Sequence, residues 1–509
     1  MSRARRARLG LPHAGAHRPV RGVLGRRRQW HNDTGNQAVD PVALWPAKDV
    51  DDLVSAVVRA RAEGLTVRCV GSGHSWSDVA LTTGYLIGPR RLSRVSRVEA
   101  GLMRDGVELE GLVSVGSGTT IKQLNDWLDR HGLALQQMGG FDGQTLAGVV
   151  STSTHGSGVK FGPFPDFVRS LDLVDGTGRR RRIEPADGPT DPAAFSAARP
   201  EWSLDQRDDW FDAVICAMGC IGLIVSLIIQ VGPSFELTEV RRLSTWKEVR
   251  AELESGALRR HEHYEVYVNP YARKGKGSNR CIVTTREPPG ANRGAGHRPL
   301  IPELLGHLPW ITSLIMRAAG VIAPRRLFPL LLDFSLGAIK SAGYTNRSYL
   351  VFNIGSTNNL RAYSAEMGVP TADGTYLDAV ETVLDTAERF ARDGAIFHTS
   401  PISLRFVAPS RALMSMMHGR ETMMIELIQL VDTFGGVEIL AAHQDALAAC
   451  DVRAHWGQIN TLSPEELAAR YPGLPAWEAV RRELDPDDVF ASPFGKRVGF
   501  SPRAALRPR

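Results

Sequence analysis

Residues 70–75 read Val70-Gly71-Ser72-Gly73-His74-Ser75, and residues 138–158 read MGGFDGQTLAGVVSTSTHGSG. The first stretch follows a run of strand formers from Thr66 to Val70, and its glycines let backbone N–H groups approach an anion such as pyrophosphate closely. The second sets Gly139, Gly140, Gly148 and Gly156 among Thr145, Ser151, Thr152 and Thr154. Such a run wraps a large phosphate-bearing group with amides and hydroxyls, and loops of this length are uncommon without a function. Neither stretch is a Walker loop, which needs GK[ST], nor a G-x-G-x-x-G that opens a helix. Phosphoryl transfer and hydride transfer on a Rossmann scaffold are therefore not indicated. The unusual feature is His74, a titratable ring inside the glycine turn.

Working outward, Leu53, Val57, Val58 and Ala60 to Ala62 have the spacing of a helix that Gly64 ends, just before the strand that delivers the first loop. A second unit follows: Val113 to Val115 as a strand, then GSGTT, then IKQLNDWLDRHG as a helix capped by Thr119 or Thr120 and ended by Gly132. Residues 213–235 carry no charged side chain and are long enough to span a bilayer. Gly219 and Gly222 interrupt them, and LIVSLIIQV reads as a buried strand, so helix, glycine turn, strand is the expected reading. Beyond Pro233, HYEVYVN, CIVTT and SYLVFNIG read as strands of a separate antiparallel sheet.

A chain of 509 residues exceeds one ordinary core, and 43% hydrophobic with 23% charged residues is globular composition. The net charge of +6 is concentrated in the arginines of residues 3–28, read as a disordered tail and not as a nucleic-acid-binding element. The tail lacks the apolar core of an export signal, although Arg5 and Arg6 are adjacent. Five scattered cysteines without a CxxC pair argue against a disulfide framework and a zinc site and fit a reducing cytoplasm; no metal is expected. Residues 300–339 are apolar but punctuated by Glu303, Arg317, Arg325, Arg326 and Asp333, as amphipathic helices that meet a partner or a membrane surface are.

Together the motifs resemble the FAD-linked oxidases of the vanillyl-alcohol-oxidase superfamily, which carry a p-cresol-methylhydroxylase-type flavin domain, and within them the aldonolactone and alditol oxidase branch. The resemblance starts at Trp30-His31-Asn32 and Gly35-Asn36-Gln37, runs through GSGHS and STSTHGSG, and includes CIGLIVSLIIQV at 220–231, AEMGVP at 365–370 and His455-Trp456-Gly457. It implies an α+β fold: a two-subdomain FAD-binding domain over 29–233, a substrate or cap domain with a large antiparallel sheet flanked by helices over 234–445, and a segment 446–509 returning to the first domain. It further implies FAD joined covalently to His74, with Gly71, Ser72, Gly73, Ser75, Gly139, Gly140, Thr145, Gly148, Ser151, Thr152, Thr154, His155, Gly156, Gly222 and Ile224 as the cofactor cradle.

The implied reaction is oxidation of a CH–OH carbon in a small alcohol, with dioxygen as acceptor and hydrogen peroxide as product. A quinone or protein acceptor, or flavin binding without catalysis, are the alternatives. In the family a Glu-x-Arg pair and the lysine of H-W-x-K serve the site. Here these positions are Ser403-Leu404-Arg405 and His455-Trp456-Gly457-Gln458, so Arg405 survives while the glutamate and the lysine are lost. Ser403, Arg405, His455 and Gln458 are the expected catalytic positions, and a site short of charge is expected to favour a less polar alcohol than a sugar lactone. The base is left open among Glu366, Glu426, Glu438 and His443.

Overall fold

The fold comes from a computed structural model that describes residues 29–290, 307, 309–431 and 433–500; the tail expected over 1–28 and residues 300–306 of the apolar stretch lie outside the described residues. Strands β1 (Ala43–Pro46), β2 (Val67–Cys69) and β3 (Tyr85–Gly88) form a parallel sheet in the order β1-β3-β2, with helix α1 (Val50–Glu63) as the crossover. Asp49 caps α1 by accepting from the Asp52 amide, and Gly64 closes it at φ 66°, a left-handed conformation that favours glycine.

The second sheet contains β4 (Val95–Arg97), β5 (Leu112–Gly116), β6 (Val168–Asp175), β7 (Arg180–Glu184), β8 (Trp202–Gln206) and β9 (Gly222–Gln230) in the order β8-β7-β6-β9-β5-β4. Helix α2 (Ile121–Arg130) starts at a Thr120–Gln123 capping box and buries Ile121, Leu124 and Leu128. Helix α3 (Leu146–Ser151) is capped by Thr145 and sits inside the second glycine-rich stretch. The uncharged run at 213–235 becomes the end of a helix (Asp208–Val214), a turn in which Met218 and Gly219 have positive φ, and β9. No described helix is long and apolar enough to cross a membrane.

The third sheet is antiparallel throughout and holds β10 (Glu236–Thr245), β11 (His263–Val268), β12 (Arg280–Glu287), β13 (Ser341–Arg347), β14 (Ala362–Pro370), β15 (Ile402–Val407), β16 (Thr422–Leu430) and β17 (Arg453–Ala454). Their order is β13-β10-β12-β11-β15-β16-β14-β17. Helices α4 (Pro309–Ile322) and α5 (Pro324–Ala338) form a hairpin beside it, and α6 (Thr375–Gly394) and α7 (Gly436–Ala446) cover one face, with Val380, Val383 and Leu440 in the same core as Val266, Leu404 and Ile425. After β17 the chain returns: Trp477 and Leu484 of α8 (Leu474–Leu484) join the core of the second sheet, and Val489 and Phe490 join that of the first.

One expected strand is not one. SYLVFNIG yields the short helix Ser348–Phe352. The edge position beside β10 is already taken by β13, and Val351 and Phe352 gain their burial by packing into the core under the second sheet. Burial against a ready-made core overrode the strand propensity of Tyr349, Val351 and Phe352.

Candidate active site

A cavity of about 630 Å³ lies between the glycine loops and the third sheet. Its volume is within the range of about 300–1,000 Å³ common for ligand sites. Gly71, Ser72, Gly73, His74, Ser75, Gly139, Gly140, Thr145, Gly148, Ser151, Thr152, Thr154, His155, Gly222 and Ile224 all line it, as do Arg405, His455 and Gln458. Two expected site residues do not. Gly156 sits behind the wall, where a Cβ would come within 2.7 Å of Gln137 Oε1, so it serves the packing of the loop. Ser403 is fully buried in β15, paired across the sheet with Tyr267 and Glu426.

The first loop is held by the opening segment. The side-chain amide of Asn32 donates to Ser75 O (3.0 Å), and those of Asn36 and Gln37 donate to Trp76 O (2.8 and 2.9 Å). Asp33 N–H donates to Gly73 O (2.9 Å), and Ser72 Oγ ties the two glycine-rich loops together through Gly143 O (2.6 Å). The carbonyls of Gly73, Ser75 and Trp76 are thus occupied, whereas the backbone N–H groups from Gly71 to Ser75 find no protein acceptor among the described residues. Successive free amides in a glycine turn make an anion nest. The Ser117 hydroxyl, buried and without a partner, also lines the cavity. Unpartnered donors at a glycine-lined wall fit the pyrophosphate and sugar of a dinucleotide.

Gly71 and Gly73 are required for different reasons. A Cβ on Gly71 would fall 2.1 Å from Thr145 Oγ1, and Gly73 has φ +72°. Between them and the substrate side stands His74. Its ring is flanked by Phe141 (4.5 Å between centroids) and Trp76 (5.2 Å), and its Nδ1 is 3.3 Å from the Asp33 carboxylate. The hydrogen bond from His74 holds the Asp33 carboxyl below the usual carboxylate range.

A row of alternating charges runs across the third sheet, and Arg241, Arg405, Glu426 and Glu366 of it line the opposite wall. Arg241 Nε and Arg286 Nε meet the two oxygens of Glu239 (3.0 and 2.9 Å), and Arg286 Nη2 meets Glu265 Oε2 (3.0 Å). Arg405 then bridges Glu265 Oε1 (2.9 Å) and Glu426 Oε2 (3.0 Å). Gln458 Nε2 donates to Glu426 Oε1 (3.3 Å) and Glu366 Oε2 (3.0 Å), and Glu366 Oε1 lies 3.2 Å from His155 Nε2. The loss of glutamate at 403 is therefore not a loss of carboxylate: Glu426 stands directly opposite Ser403, and Glu366 directly opposite Glu426. Nor is the Gln458 position short of charge, since its amide is shared by two acids. The expectation of a charge-poor site is corrected by this cross-strand register.

Electrostatics sort the acids. Burial works to raise the Glu265 carboxyl, but Arg286 and Arg405 hold it at about 2. Burial also works to raise Glu366, and His155, His455 and Arg405 together bring it down to about 2. Glu426 goes the other way: burial raises it, and the charge of Glu366 adds to that effect against the pull of Arg405. Two facing carboxylates with pKa values driven apart are the usual arrangement for dividing a proton between donor and acceptor roles. Arg405 keeps its charge, because Glu426 and Glu265 outweigh the cost of burying it.

Burial pushes His455 down to about 4, so its ring is neutral near pH 7. Its Nδ1 accepts from Gly457 N–H (3.1 Å), which leaves its proton on Nε2. His155 Nδ1 donates to Gly156 O (2.9 Å), and its Nε2 lies 3.2 Å from Glu366 Oε1. His155, His455 and Glu366 each bring one nitrogen or oxygen atom within 4.8 Å of the other two.

Sequence reading weighed Glu366 and Glu426 without choosing; both line the cavity, whereas Glu438 and His443 do not, and His443 is hydrogen-bonded to His398 (2.8 Å) inside the core. Arg68 was missed. It is buried on β2, lines the cavity and donates to Gly219 O (2.7 Å), Met218 O (2.6 Å) and Val79 O, fixing the turn before β9. A lone arginine in an apolar strand, VRCV, is its only sequence signal. Tyr267 and Arg241 also line the cavity and were not singled out.

An L-gulono-1,4-lactone dehydrogenase from Mycobacterium tuberculosis is 29% identical over 477 residues, covering 92% of this chain and 98% of that protein. An L-gulonolactone oxidase from Mus musculus is 24% identical over 480 residues (93% and 98%), and an alditol oxidase from a Streptomyces species 26% over 430 (84% and 89%). A crystal structure of cholesterol oxidase from Brevibacterium sterolicum superposes with a TM-score of 0.73 at 15% identity, covering 95% of this chain and 100% of that one, a likeness of fold alone. An FAD-binding domain model matches residues 41–184, where the glycine loops and their strands lie, and the D-arabinono-1,4-lactone oxidase model matches residues 227–498, which hold the whole charged row. With more than half of its length in that second match, the chain belongs to the D-arabinono-1,4-lactone oxidase family and is an FAD-dependent oxidoreductase acting on CH–OH donors.

Proposed function

We propose that the protein is an oxidase that carries FAD covalently on His74 and oxidises a secondary alcohol, with dioxygen as acceptor. FAD, held by the amide-lined turn and the second glycine-rich stretch, would supply the two-electron oxidant for the donor carbon, and dioxygen would take those electrons on as hydrogen peroxide. Every other part of the reaction falls to the chain. Glu366, ionised and 3.2 Å from His155 Nε2, receives the hydroxyl proton of the substrate. His455 donates from Nε2 to the substrate oxygen, and Gln458 holds the two acids in place. Arg405 supplies a fixed positive charge facing the reaction centre, held on both sides by glutamates so that it cannot swing away.

For the covalent link, His74 is fixed by its two aromatic neighbours, and the Asp33 carboxylate stabilises positive charge on the ring. The functional division into 29–233, 234–445 and 446–509 follows the same reading, with β17 as the part of the last segment that joins the third sheet. Five free thiols fit a cytoplasmic setting.

The observation that carries this reading is the convergence in one cavity of the amide-lined turn and the Glu366–His155–His455 group. The test is anaerobic titration of the purified yellow protein with secondary alcohols, followed by admission of air. Bleaching, then recovery of colour with stoichiometric peroxide, is expected. Recovery only with a quinone would favour a dehydrogenase, the activity named for the mycobacterial relative. Flavin should stay with the wild-type chain through acid denaturation and leave the His74→Ala chain; complete release from wild type would end the covalent assignment.

A further inference from the structure

We propose that the α4–α5 hairpin docks on an anionic lipid bilayer and that the substrate enters from it as an amphiphilic alcohol, its apolar body lying under the hairpin. The substrate half of this inference rests on the oxidase reading above; the docking half does not.

The two helices have opposite faces of the same character. Inward, Met316 of α4 and Leu332 and Leu336 of α5 are buried and line the cavity, together with Ile339 just beyond α5 and Leu430 of β16. The end of the cavity away from the glycine loops is therefore mostly hydrocarbon, with the Thr312 and Ser335 hydroxyls as the polar groups that the hairpin adds to its wall. Outward, Leu314, Ala318, Val321 and Ile322 recur at the spacing of one helical stripe and stand in solvent, Leu314 at 58%, Val321 at 86% and Ile322 at 75% exposure. Leu330 and Phe334, one turn apart on α5, extend this ridge. Ile315 and Phe334 belong to both surfaces: each is exposed and each lines the cavity. The ridge and the apolar end of the cavity are thus continuous at the mouth.

Charge selects the occupant. Between residues 307 and 340 the cations are Arg317, Arg325, Arg326 and Lys340, and the one acid, Asp333, is buried against Asn269 and Arg273. An apolar ridge ringed by cations complements an anionic headgroup layer. At 14 and 15 residues the helices reach about 21–23 Å at about 1.5 Å per residue, short of a hydrocarbon core of about 30 Å, so the hairpin lies in the interface and does not span it.

The docking half is tested by flotation of the flavin-loaded protein with vesicles of phosphatidylglycerol and phosphatidylcholine, and with phosphatidylcholine alone. Wild type is expected to float with the anionic vesicles. A Leu314→Glu, Val321→Glu, Ile322→Glu variant, altered only at exposed positions off the cavity wall, is expected to lose about tenfold or more in partition while keeping wild-type flavin content. No wild-type flotation, or equal flotation of the variant, overturns docking. So does a concentration-dependent dimer that the variant abolishes in the absence of vesicle binding, which gives the ridge to a second copy of the chain. For the substrate half, the rate of flavin bleaching at low concentration is expected to rise with chain length from 2-butanol to 2-dodecanol, by up to roughly fourfold per methylene buried. A flat or absent response overturns the apolar subsite, whatever the vesicles show.

Discussion

The two walls of the cavity are built on opposite principles. The cofactor wall is local: residues 70–76 and 138–155 bend on their own glycines, and the groups they offer are backbone amides and short hydroxyls. The substrate wall is non-local. Its charges come from β10, β14, β15 and β16, backed by Glu265 of β11 and Arg286 of β12, and neighbours in space such as Glu265 and Arg405 are 140 residues apart in sequence. A backbone cradle tolerates side-chain drift as long as its glycines remain. A cross-strand row depends on register, because a slip of one residue would turn every charge to the other face of the sheet.

The largest effect that sharpens this contrast is expected at Glu366. Glu366→Gln keeps the shape and removes the acceptor, and should slow flavin reduction by about 10²–10⁴-fold, the usual range for losing a general base. Stopped-flow reduction under anaerobic conditions measures it, and a rate within a few fold of wild type would remove Glu366 from the chemistry. Gly73→Val should act on the other wall, since a β-branched residue does not adopt φ +72°. Flavin occupancy after purification should fall below a tenth of wild type, and normal occupancy would mean that this turn is not the cradle.

Next in size is Arg405→Ala, which leaves Glu265 and Glu426 buried without their shared cation and should lower stability by about 3–5 kcal/mol. Gln458→Ala removes only neutral hydrogen bonds and should cost about 1 kcal/mol or less in denaturant titrations, and slow flavin reduction far less than Arg405→Ala does. Equal effects of the two substitutions would show that the row is not an ionic unit.

The smallest expected effect is on pH dependence. Burial holds His398 at about 3, well under its unfolded value of about 6.5, so the stability it contributes is present above pH 6.5 and is lost as pH falls toward 3. The non-titrating variant His398→Gln should therefore lose less on acidification, and the Tm gap between wild type and variant should shrink by about a few °C from pH 6.5 to 4. A constant gap would contradict a neutral, buried His398.

How legible each region was follows from the same contrast. The α1 and α2 boundaries, the turn before β9 and the glycine cradle were readable, because caps, glycines and periodicity act over a few residues. SYLVFNIG was misread because its propensity is that of a strand, and only the occupied edge beside β10 makes it a helix. The charged row was illegible for a further reason. Ser403 and Gln458 look like lost charges when compared position by position with a motif, whereas the fold brings carboxylates to the same place from neighbouring strands.

By itself the sequence determined the α+β class, the FAD-binding domain and the glycine turn that holds His74, because glycine geometry and helix signals are local properties of the chain. Tertiary structure alone decided which two of the four candidate bases reach the cavity, that Arg405 is clamped between Glu265 and Glu426, and that the apolar stretch becomes the mostly apolar end of the cavity. The physical reason is that hydrogen-bonded strand pairing sets contacts between residues far apart in the chain, and no residue carries in its own identity the register of its neighbour.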